Sequence, residues 1–334
     1  MAMGIVDMFL NGLNEVWYIY RRNNWLLDPS WFLRDFDHTT IDRPIFLLGN
    51  QGGGLTLISR MLRRNPEVVS VTGNNSYWSG ADELQNVYGL ILPAELTGIK
   101  YKAPYHPVLT PPRSWSYASD ALIASYRNTE KDYSPEIESQ FKRILKYIIA
   151  RYGKDGAVRF VDKSQVFSVK LGLIYSLLKK CNPKFLLVLR SPYIECPRAA
   201  MGKAGDMRRY ATSLSWEERL DICIQHWNNS VGAIIEDKKR LPIDIMIVRF
   251  EDILQSPERE LRKICAFLEL DFNRDMLPQQ YHSLPFGSHY RNRWYPLRSD
   301  VNNRYKDIIK RADLNRIDEK CGALAKQFDY SIPF

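Results

Sequence analysis

The 334-residue sequence has few cysteines and no long apolar run, and both shortages narrow the class of protein. Its five cysteines are odd in number, lie far apart and form no Cys-x-x-Cys pair. We therefore expect reduced thiols in a cytoplasmic protein, with neither a disulfide framework nor a zinc site. No run reaches the ~20 apolar residues of a membrane-spanning helix, and no signal peptide is visible. Stable insertion into a membrane is not expected.

The protein is basic, because 47 Lys and Arg outnumber 38 Asp and Glu, which gives a formal net charge of +9. A positive field favours anionic ligands but does not choose between a nucleotide, a nucleic acid and a membrane surface. The basic residues are spread along the chain and are not gathered into a tail or a stripe. We therefore expect no nucleic-acid partner.

The organisation of the chain indicates one main domain. No internal repeat, low-complexity tract or Gly/Ser linker interrupts it, so we predict an α/β domain at residues 41–334 behind an N-terminal helical extension at residues 1–40. We expect the first helix to pack on the body or on a second subunit, as in a homodimer. Short β-rich runs alternate with helical patterns, which predicts a three-layer αβα fold with a central parallel sheet. The predicted strands are 45–48, 68–71, 158–161, 184–189 and 243–248.

The turn after the first strand carries the clearest functional motif. Gly52, Gly53 and Gly54 remove every side chain from it, and a helix with apolar residues at helical spacing follows. Several backbone N–H groups then converge at the positive end of a helix, which suits a phosphate or a sulfate. The spacing is nearly that of a nucleoside-triphosphate loop, but the lysine is missing, which disfavours an ordinary kinase or NTPase. The alternative is that the glycine turn binds no ligand and only lets the helix pack tightly on its strand.

Charged residues follow other predicted strands at the same edge of the sheet. Arg190 comes directly after the 184–189 strand, where an arginine can bind an anion bidentately. Asp82 and Glu83 end the connection that follows the second strand. Because α/β proteins place their chemistry at the carboxyl ends of parallel strands, we predict a functional site here.

Four stretches in this order resemble the sulfotransferases that use 3′-phosphoadenosine 5′-phosphosulfate (PAPS). They are the loop 49–57, similar to the family's 5′-phosphosulfate loop; the strand 184–190 with Ser191-Pro192, similar to a strand ending Arg-Asn-Pro; 248–253, similar to Arg-Tyr-Glu-Asp-Leu; and Arg291-Asn292-Arg293-Trp294, similar to a C-terminal basic loop. The likeness extends from about Pro44 to Tyr330. It implies a P-loop-like sulfotransferase that moves a sulfuryl group from PAPS to a hydroxyl or amine of a small-molecule acceptor, releases PAP and needs no metal.

The resemblance also implies a donor site. Arg190 matches the arginine that holds the 3′-phosphate, and Arg198 stands near the family's phosphate-binding serine. Gly52 replaces the loop Lys or Arg that neutralises charge on the leaving group, and Lys163 is our candidate to replace it. The implied donor-binding set is Gln51, Gly52, Gly53, Gly54, Leu55, Thr56, Leu57, Arg190, Arg198, Arg291, Arg293 and Trp294.

The part of the site that binds the sulfuryl acceptor needs a general base and side chains that contact the acceptor. In the family the base is a His or a Glu after the loop helix, which here leaves His106, Glu83 and Asp82 as candidates. Aromatic walls would suit a flat or cyclic acceptor, and the candidates are Tyr77, Trp78, Trp115 and Tyr117. The segment 74–85 resembles sulfotransferases that tailor bacterial natural products, including cyanobacterial guanidinium alkaloids of the saxitoxin type.

Two other functions stay open from the sequence. A P-loop nucleotide kinase or hydrolase would need magnesium and an acid at a strand end, and Asp162 is the candidate acid. A catalytically degenerate sulfotransferase-like protein would bind a nucleotide or a partner without turnover, since a fold does not guarantee its usual activity.

Overall fold

The computed structural model describes most of the chain at the level of individual contacts. The described residues are 23–74, 82–97, 106–109, 116–153, 158–202, 213–278, 299–305 and 309–333, together with positions 13, 16, 20, 207 and 297.

A five-stranded parallel sheet forms the centre of the molecule, in the order β2-β3-β1-β4-β5. Each strand lies within two residues of its predicted bounds, and the predicted α/β fold with a central parallel sheet is confirmed. The strands are β1 (Ile45–Leu48), β2 (Val68–Ser70), β3 (Arg159–Asp162), β4 (Lys184–Leu189) and β5 (Ile245–Arg249).

Helices cover both faces of this sheet. Ser and Pro at helix starts fix several of their bounds: Ser134 accepts a hydrogen bond from Ile137 N–H, and Ser215 forms a capping box with Glu218. The helices are α1 (Pro29–Leu33), α2 (Leu55–Leu62), α3 (Leu84–Val87), α4 (Ile123–Tyr126), α5 (Pro135–Tyr152), α6 (Leu171–Leu178), α7 (Pro192–Ala200), α8 (Trp216–Arg240), α9 (Phe250–Gln255), α10 (Pro257–Leu268) and α11 (Arg311–Ala325). Short 3₁₀ helices span Asn24–Leu27, Glu130–Asp132, Gln165–Val169, Lys179–Cys181, Arg274–Met276, Asn303–Tyr305 and Lys326–Phe328.

The alternation of side chains along β1 divides the core into two apolar layers. Phe46 and Leu48 join the layer formed with α5, α6, α8 and α11, whereas Ile45 and Leu47 join the layer formed with α2 and α10. All four side chains are buried, as expected of a parallel strand covered on both faces. The two layers and the sheet between them form the predicted three-layer arrangement.

The described part of the N-terminal extension contains two short helices and packs on the domain. Trp25 is buried, and its indole N–H donates to Val87 O at 2.9 Å. Farther along, Arg143 donates to Trp31 O at 2.8 Å. Most of residues 1–22 lies outside the described residues, so the boundary at residue 40 stays a prediction.

The cysteines and the helices of the described residues bear on two further expectations. All five cysteines are free thiols, and all but Cys181 are buried. Within the described ranges, none of the helices combines the length and the apolar character needed to cross a membrane.

Candidate functional site

The glycine loop joins the end of β1 to the start of α2. Gly53 N–H donates to Asn50 O at 3.0 Å, which closes the turn, and Gly49 N–H donates to Ser168 Oγ at 2.9 Å. Gly54 has φ +107°, and a Cβ there would lie 2.2 Å from the Phe250 ring. Only glycine therefore fits where the loop enters the helix.

This loop presents backbone donors at the positive end of α2. In the part of the chain that the structure describes, no acceptor faces the N–H groups of Gly52, Gly54, Leu55 and Thr56. Free N–H groups at a helix N-terminus, together with the helix dipole, form a site for a phosphate or sulfate group.

Arg190 extends from the end of β4 to this loop. Its side chain is 3% exposed, Nη1 donates to Gly52 O at 3.2 Å, and Nη2 donates to the Asn302 side chain. The guanidinium carbon lies 5.0 Å from the centre of the Phe250 ring. Its Nε atom is buried and has no hydrogen-bond partner among the described residues. Arg190 is thus fixed beside the loop with donor capacity to spare.

Arg198 lies on α7, two turns beyond Arg190. Its Nε and Nη1 atoms are buried, and neither has a hydrogen-bond partner within the described ranges. The positive charge of Arg198 adds to burial in lowering the pKa of Arg190, so the two guanidinium groups are electrostatically coupled. Buried polar groups without partners need an explanation, and two neighbouring arginines with unused donors are typical of an anion site.

Glu195 lies on the same helix, one turn before Arg198, and the sequence analysis missed it. Its side chain is 5% exposed, and Oε2 is 3.6 Å from the position that a Cβ on Gly53 would take. Burial raises the pKa of Glu195 to about 8, against the opposing charges of Arg190 and Arg198. The available signal was its spacing, because an acid three residues before a helical arginine shares its face.

A small cavity separates this acid from α8. Its volume of about 20 Å³ holds roughly one water molecule. Gln51 Oε1 is buried near it and lacks a partner in the described part of the chain. Burial lowers the pKa of His226 to about 3, so this second residue that the sequence analysis missed stays neutral. The lining residues are Asn50, Gln51, Glu195, Cys196, Ala199, Cys223, His226 and Trp227.

Two of the candidate bases and Lys163 form one buried ionic cluster. Lys163 Nζ lies 3.2 Å from Asp82 Oδ1 and donates a hydrogen bond to Glu83, and Arg63 Nη1 lies 3.5 Å from Asp82 Oδ2. Burial acts to raise the pKa of Asp82, but the charges of Lys163, Arg63 and Arg60 lower it below its ordinary value. Asp82 is therefore ionised at neutral pH.

The position of Lys163 corrects the proposal that it replaces the missing loop cation. Its side chain is only 1% exposed and pairs with Asp82 and Glu83, which raise its pKa against the effect of burial. Lys163 directly follows the buried strand β3 and is itself buried. It pairs with the nearest acids, because an unpaired buried charge is costly. The cation that contacts the loop is instead Arg190.

The hydrogen bonds of His106 do not suit a general base. Its Nδ1 accepts from the N–H groups of Val108 and Leu109 at 3.2 and 3.1 Å, and burial lowers its pKa. A neutral imidazole with Nδ1 as acceptor carries its proton on Nε2, so neither nitrogen has a free lone pair.

Tyr117 is a core residue and not an open wall for an acceptor. It is 1% exposed, its hydroxyl donates to Gln165 O at 2.7 Å, and its ring packs edge-on against His226. Six other predicted site residues lie outside the described residues: Tyr77, Trp78, Trp115, Arg291, Arg293 and Trp294.

Comparison with known proteins extends these observations. A model described as the sulfotransferase family matches residues 44–274. No curated protein sequence matches the chain. Among solved structures, sulfotransferase STF9 from Mycobacterium avium is 14% identical with a TM-score of 0.50, and the match covers 91% of this chain and 80% of that chain. At this identity the likeness concerns the fold.

Two further solved structures are sulfotransferase domains. The sulfotransferase domain of the Synechococcus PCC 7002 olefin synthase is 16% identical, with 89% of this chain and 98% of that chain covered and a TM-score of 0.48. The sulfotransferase domain of the curacin biosynthetic pathway is 18% identical, with 88% and 100% covered and a TM-score of 0.49.

Proposed function

This chain belongs to the sulfotransferase family, and from that premise we propose that it transfers a sulfuryl group from PAPS to a hydroxyl or amine of a small-molecule acceptor. One observation carries the proposal of the donor: free loop N–H groups and two arginines with unused donors lie at the same edge of the sheet. PAPS carries a phosphosulfate at one end and a 3′-phosphate at the other. These two anionic groups match the two sets of hydrogen-bond donors, the loop N–H groups and the arginines.

Each part of the site has a role in this proposal. The N–H groups of Gly52, Gly54, Leu55 and Thr56 bind the 5′-phosphosulfate, and Arg190 and Arg198 bind the 3′-phosphate. Sulfuryl transfer resembles phosphoryl transfer in that charge spreads over equatorial oxygens, which preorganised N–H donors stabilise. Arg190 also holds the Gly52 carbonyl, so the strand-end cation and the loop form one rigid unit.

The acceptor proton passes to the acidic pair in this proposal. Asp82 and Glu83 follow β2 at the carboxyl edge of the sheet, and Lys163 lies between them. A carboxylate held ionised can accept a proton from a hydroxyl or an amine, a step that typically contributes about 10²–10⁴-fold to the rate. The narrower proposal for the acceptor, a natural product such as a guanidinium alkaloid, comes from the segment 74–85, of which 75–81 lie outside the described residues.

The environment of Asp162 disfavours the kinase alternative. Its Oδ1 accepts from Leu84 N–H at 2.8 Å and from Ser164 Oγ at 3.0 Å, and its Oδ2 accepts from Ser164 N–H at 2.7 Å. Burial raises the pKa of this carboxyl to about 7. An acid that caps neighbouring backbone groups in this way has little capacity left for magnesium.

The cellular setting and partners are part of the same proposal. Free, mostly buried thiols suit a cytoplasmic enzyme. The described residues contain no group of three or more His, Cys, Asp or Glu side chains placed to hold a metal ion. We propose a small-molecule acceptor and no nucleic-acid partner, and we retain a homodimer as a prediction.

Arg190→Ala tests the donor site. We expect its affinity for PAP to fall about 10- to 150-fold, since a hydrogen-bonded charge contributes about 1.5–3 kcal/mol. Calorimetric titration measures this, and Arg259→Ala on the exposed face of α10 is the matched control, with an affinity equal to that of wild type. Equal affinities of all three proteins would contradict the site, provided that thermal melting shows each of them folded.

A further inference from the structure

The transfer mechanism proposed above gives no role to the buried acid Glu195. Glu195 lies on α7 between the two arginines assigned to the 3′-phosphate, with Arg198 one turn further along the helix. Within the described residues, no N–H or O–H group donates a hydrogen bond to its carboxyl oxygens. A buried carboxyl in such surroundings is neutral unless a nearby cation stabilises its charge.

Among the described residues, the charged groups around Glu195 come from three elements. Arg190 at the end of β4 and Arg198 on α7 are positive, and Glu251 on α9 is negative. Glu251 already accepts from Ser191 N–H at 3.1 Å and from the Tyr330 hydroxyl at 2.9 Å. The other titratable neighbours are buried and neutral: Tyr117, Cys196, and Cys223 and His226 on α8.

The charge of Glu195 decides how much positive charge these arginines offer to an anion. When Glu195 is neutral, the positive charges of Arg190 and Arg198 and the negative charge of Glu251 add up to one net positive charge. When Glu195 is ionised, the cluster has no net charge, and the carboxylate weakens the positive field that attracts a phosphate to the two guanidinium groups. The two states therefore differ in their affinity for a dianion.

We propose that the protonation of Glu195 controls donor affinity, so that the 3′-phosphate binds when the Glu195 carboxyl is neutral and binding at alkaline pH takes up one proton from solvent at that carboxyl. The inference rests on the proposed function, because it takes Arg190 and Arg198 as the phosphate-binding pair. Glu195 acts through the arginines and is a positioning residue that does not touch the transferred group.

The pH range follows from the environment of the acid. Burial raises the pKa of Glu195 to about 8 in the free protein, and a bound phosphate dianion would raise it further. The affinity for the 3′-phosphate donor is highest below this pKa, and it falls as the pH rises through the pKa. If only the neutral form binds, the apparent Kd rises about eightfold between pH 7.5 and 9.0, in proportion to the falling fraction of the competent form.

The test is calorimetric titration with PAP at pH 7.5 and 9.0, each in two buffers with different ionisation enthalpies. For wild type we expect the roughly eightfold loss of affinity and an uptake of about one proton at pH 9.0. Glu195→Gln should bind PAP with nearly equal Kd at both values and take up no proton. Glu319→Gln, which removes an exposed acid from α11, should behave as wild type does.

The outcomes separate this inference from the proposed function. If wild type binds PAP but takes up no proton at pH 9.0, the role of Glu195 is wrong while the donor site stands. The same holds if Glu195→Gln keeps the wild-type pH dependence. If wild type does not bind PAP at either pH, the proposed function fails, and this inference fails with it. The proton count on wild type needs no variant, so a misfolded substitution cannot hide the result.

Discussion

At the scale of single residues, the candidate site depends on positions where one side chain is required or forbidden. Gly54 must lack a Cβ because Phe250 occupies that space, and Arg190 must be long enough to contact the loop. Gly52, which replaces the family's loop cation, leaves its carbonyl to accept from Arg190. This hydrogen bond ties the loop to the neighbouring strand.

Gly54→Ala should destabilise the protein and weaken PAP binding. Alanine at φ +107° is strained, and its Cβ would overlap the Phe250 ring, so we expect a loss of about 1–3 kcal/mol in the free energy of unfolding. Denaturant unfolding measures this loss. Gly232→Ala is the matched control, because nothing apart from its chain neighbours and its own helix backbone lies within 4 Å of an added Cβ, and α8 should gain about 0.5–1 kcal/mol. Equal effects of the two substitutions would refute the steric argument.

Sequence reasoning found some of these residues and missed others for identifiable reasons. Arg190 and the glycines were predicted because a buried strand followed by a loop locates them without any knowledge of packing. Glu195 and His226 were missed, since their importance depends on burial between α7 and α8, which the pattern of one helix does not reveal. Lys163 was placed at the correct edge, but its pairing with Asp82 and Glu83 required the folded path of residues far apart in sequence.

At the scale of secondary-structure elements, the segments after β2 and β3 are joined by charge. Lys163 directly follows β3, and its two acids directly precede α3, so one buried ionic cluster ties these segments together. Lys163 pairs with both acids, so its removal from this buried cluster leaves Arg63 to pair with Asp82 and takes away the cation that pairs with Glu83. The cluster both positions the proposed proton acceptors and contributes to stability.

Lys163→Met should destabilise the protein by about 3–5 kcal/mol at pH 7, the usual result of breaking a buried ion pair. Lys163 is the leading charge that lowers the pKa of Asp82, so this pKa should rise in the variant, and protonation of Asp82 near pH 4 should then relieve part of the cost of the missing cation. The difference between wild type and variant should therefore be smaller at pH 4 than at pH 7. Denaturant unfolding at both pH values tests this.

Lys320→Met on the exposed face of α11 is the control for that experiment and should change stability by less than about 0.5 kcal/mol. A destabilisation of Lys163→Met that is equally small, or one that grows as the pH falls, would contradict the ionic cluster.

At the scale of the whole molecule, the fold brings donors from distant parts of the sequence to one edge of the sheet. The strand order places β1 between β3 and β4, so the loop after β1 lies between Lys163 and Arg190. The strand order itself was not predicted, because strand lengths and apolar runs do not specify which strands are neighbours. The layers were predictable, since strands buried on both faces require helices on each side.

The central claim is that this edge of the sheet binds a donor with a 3′-phosphate. The most direct measurement is calorimetric titration of wild type, without metal, with PAP and with adenosine 5′-monophosphate, which lacks only the 3′-phosphate. We predict micromolar binding of PAP and at least about tenfold weaker binding of the monophosphate, since Arg190 and Arg198 would lose a charge-assisted contact. Equal affinities, or no binding of PAP, would contradict the account.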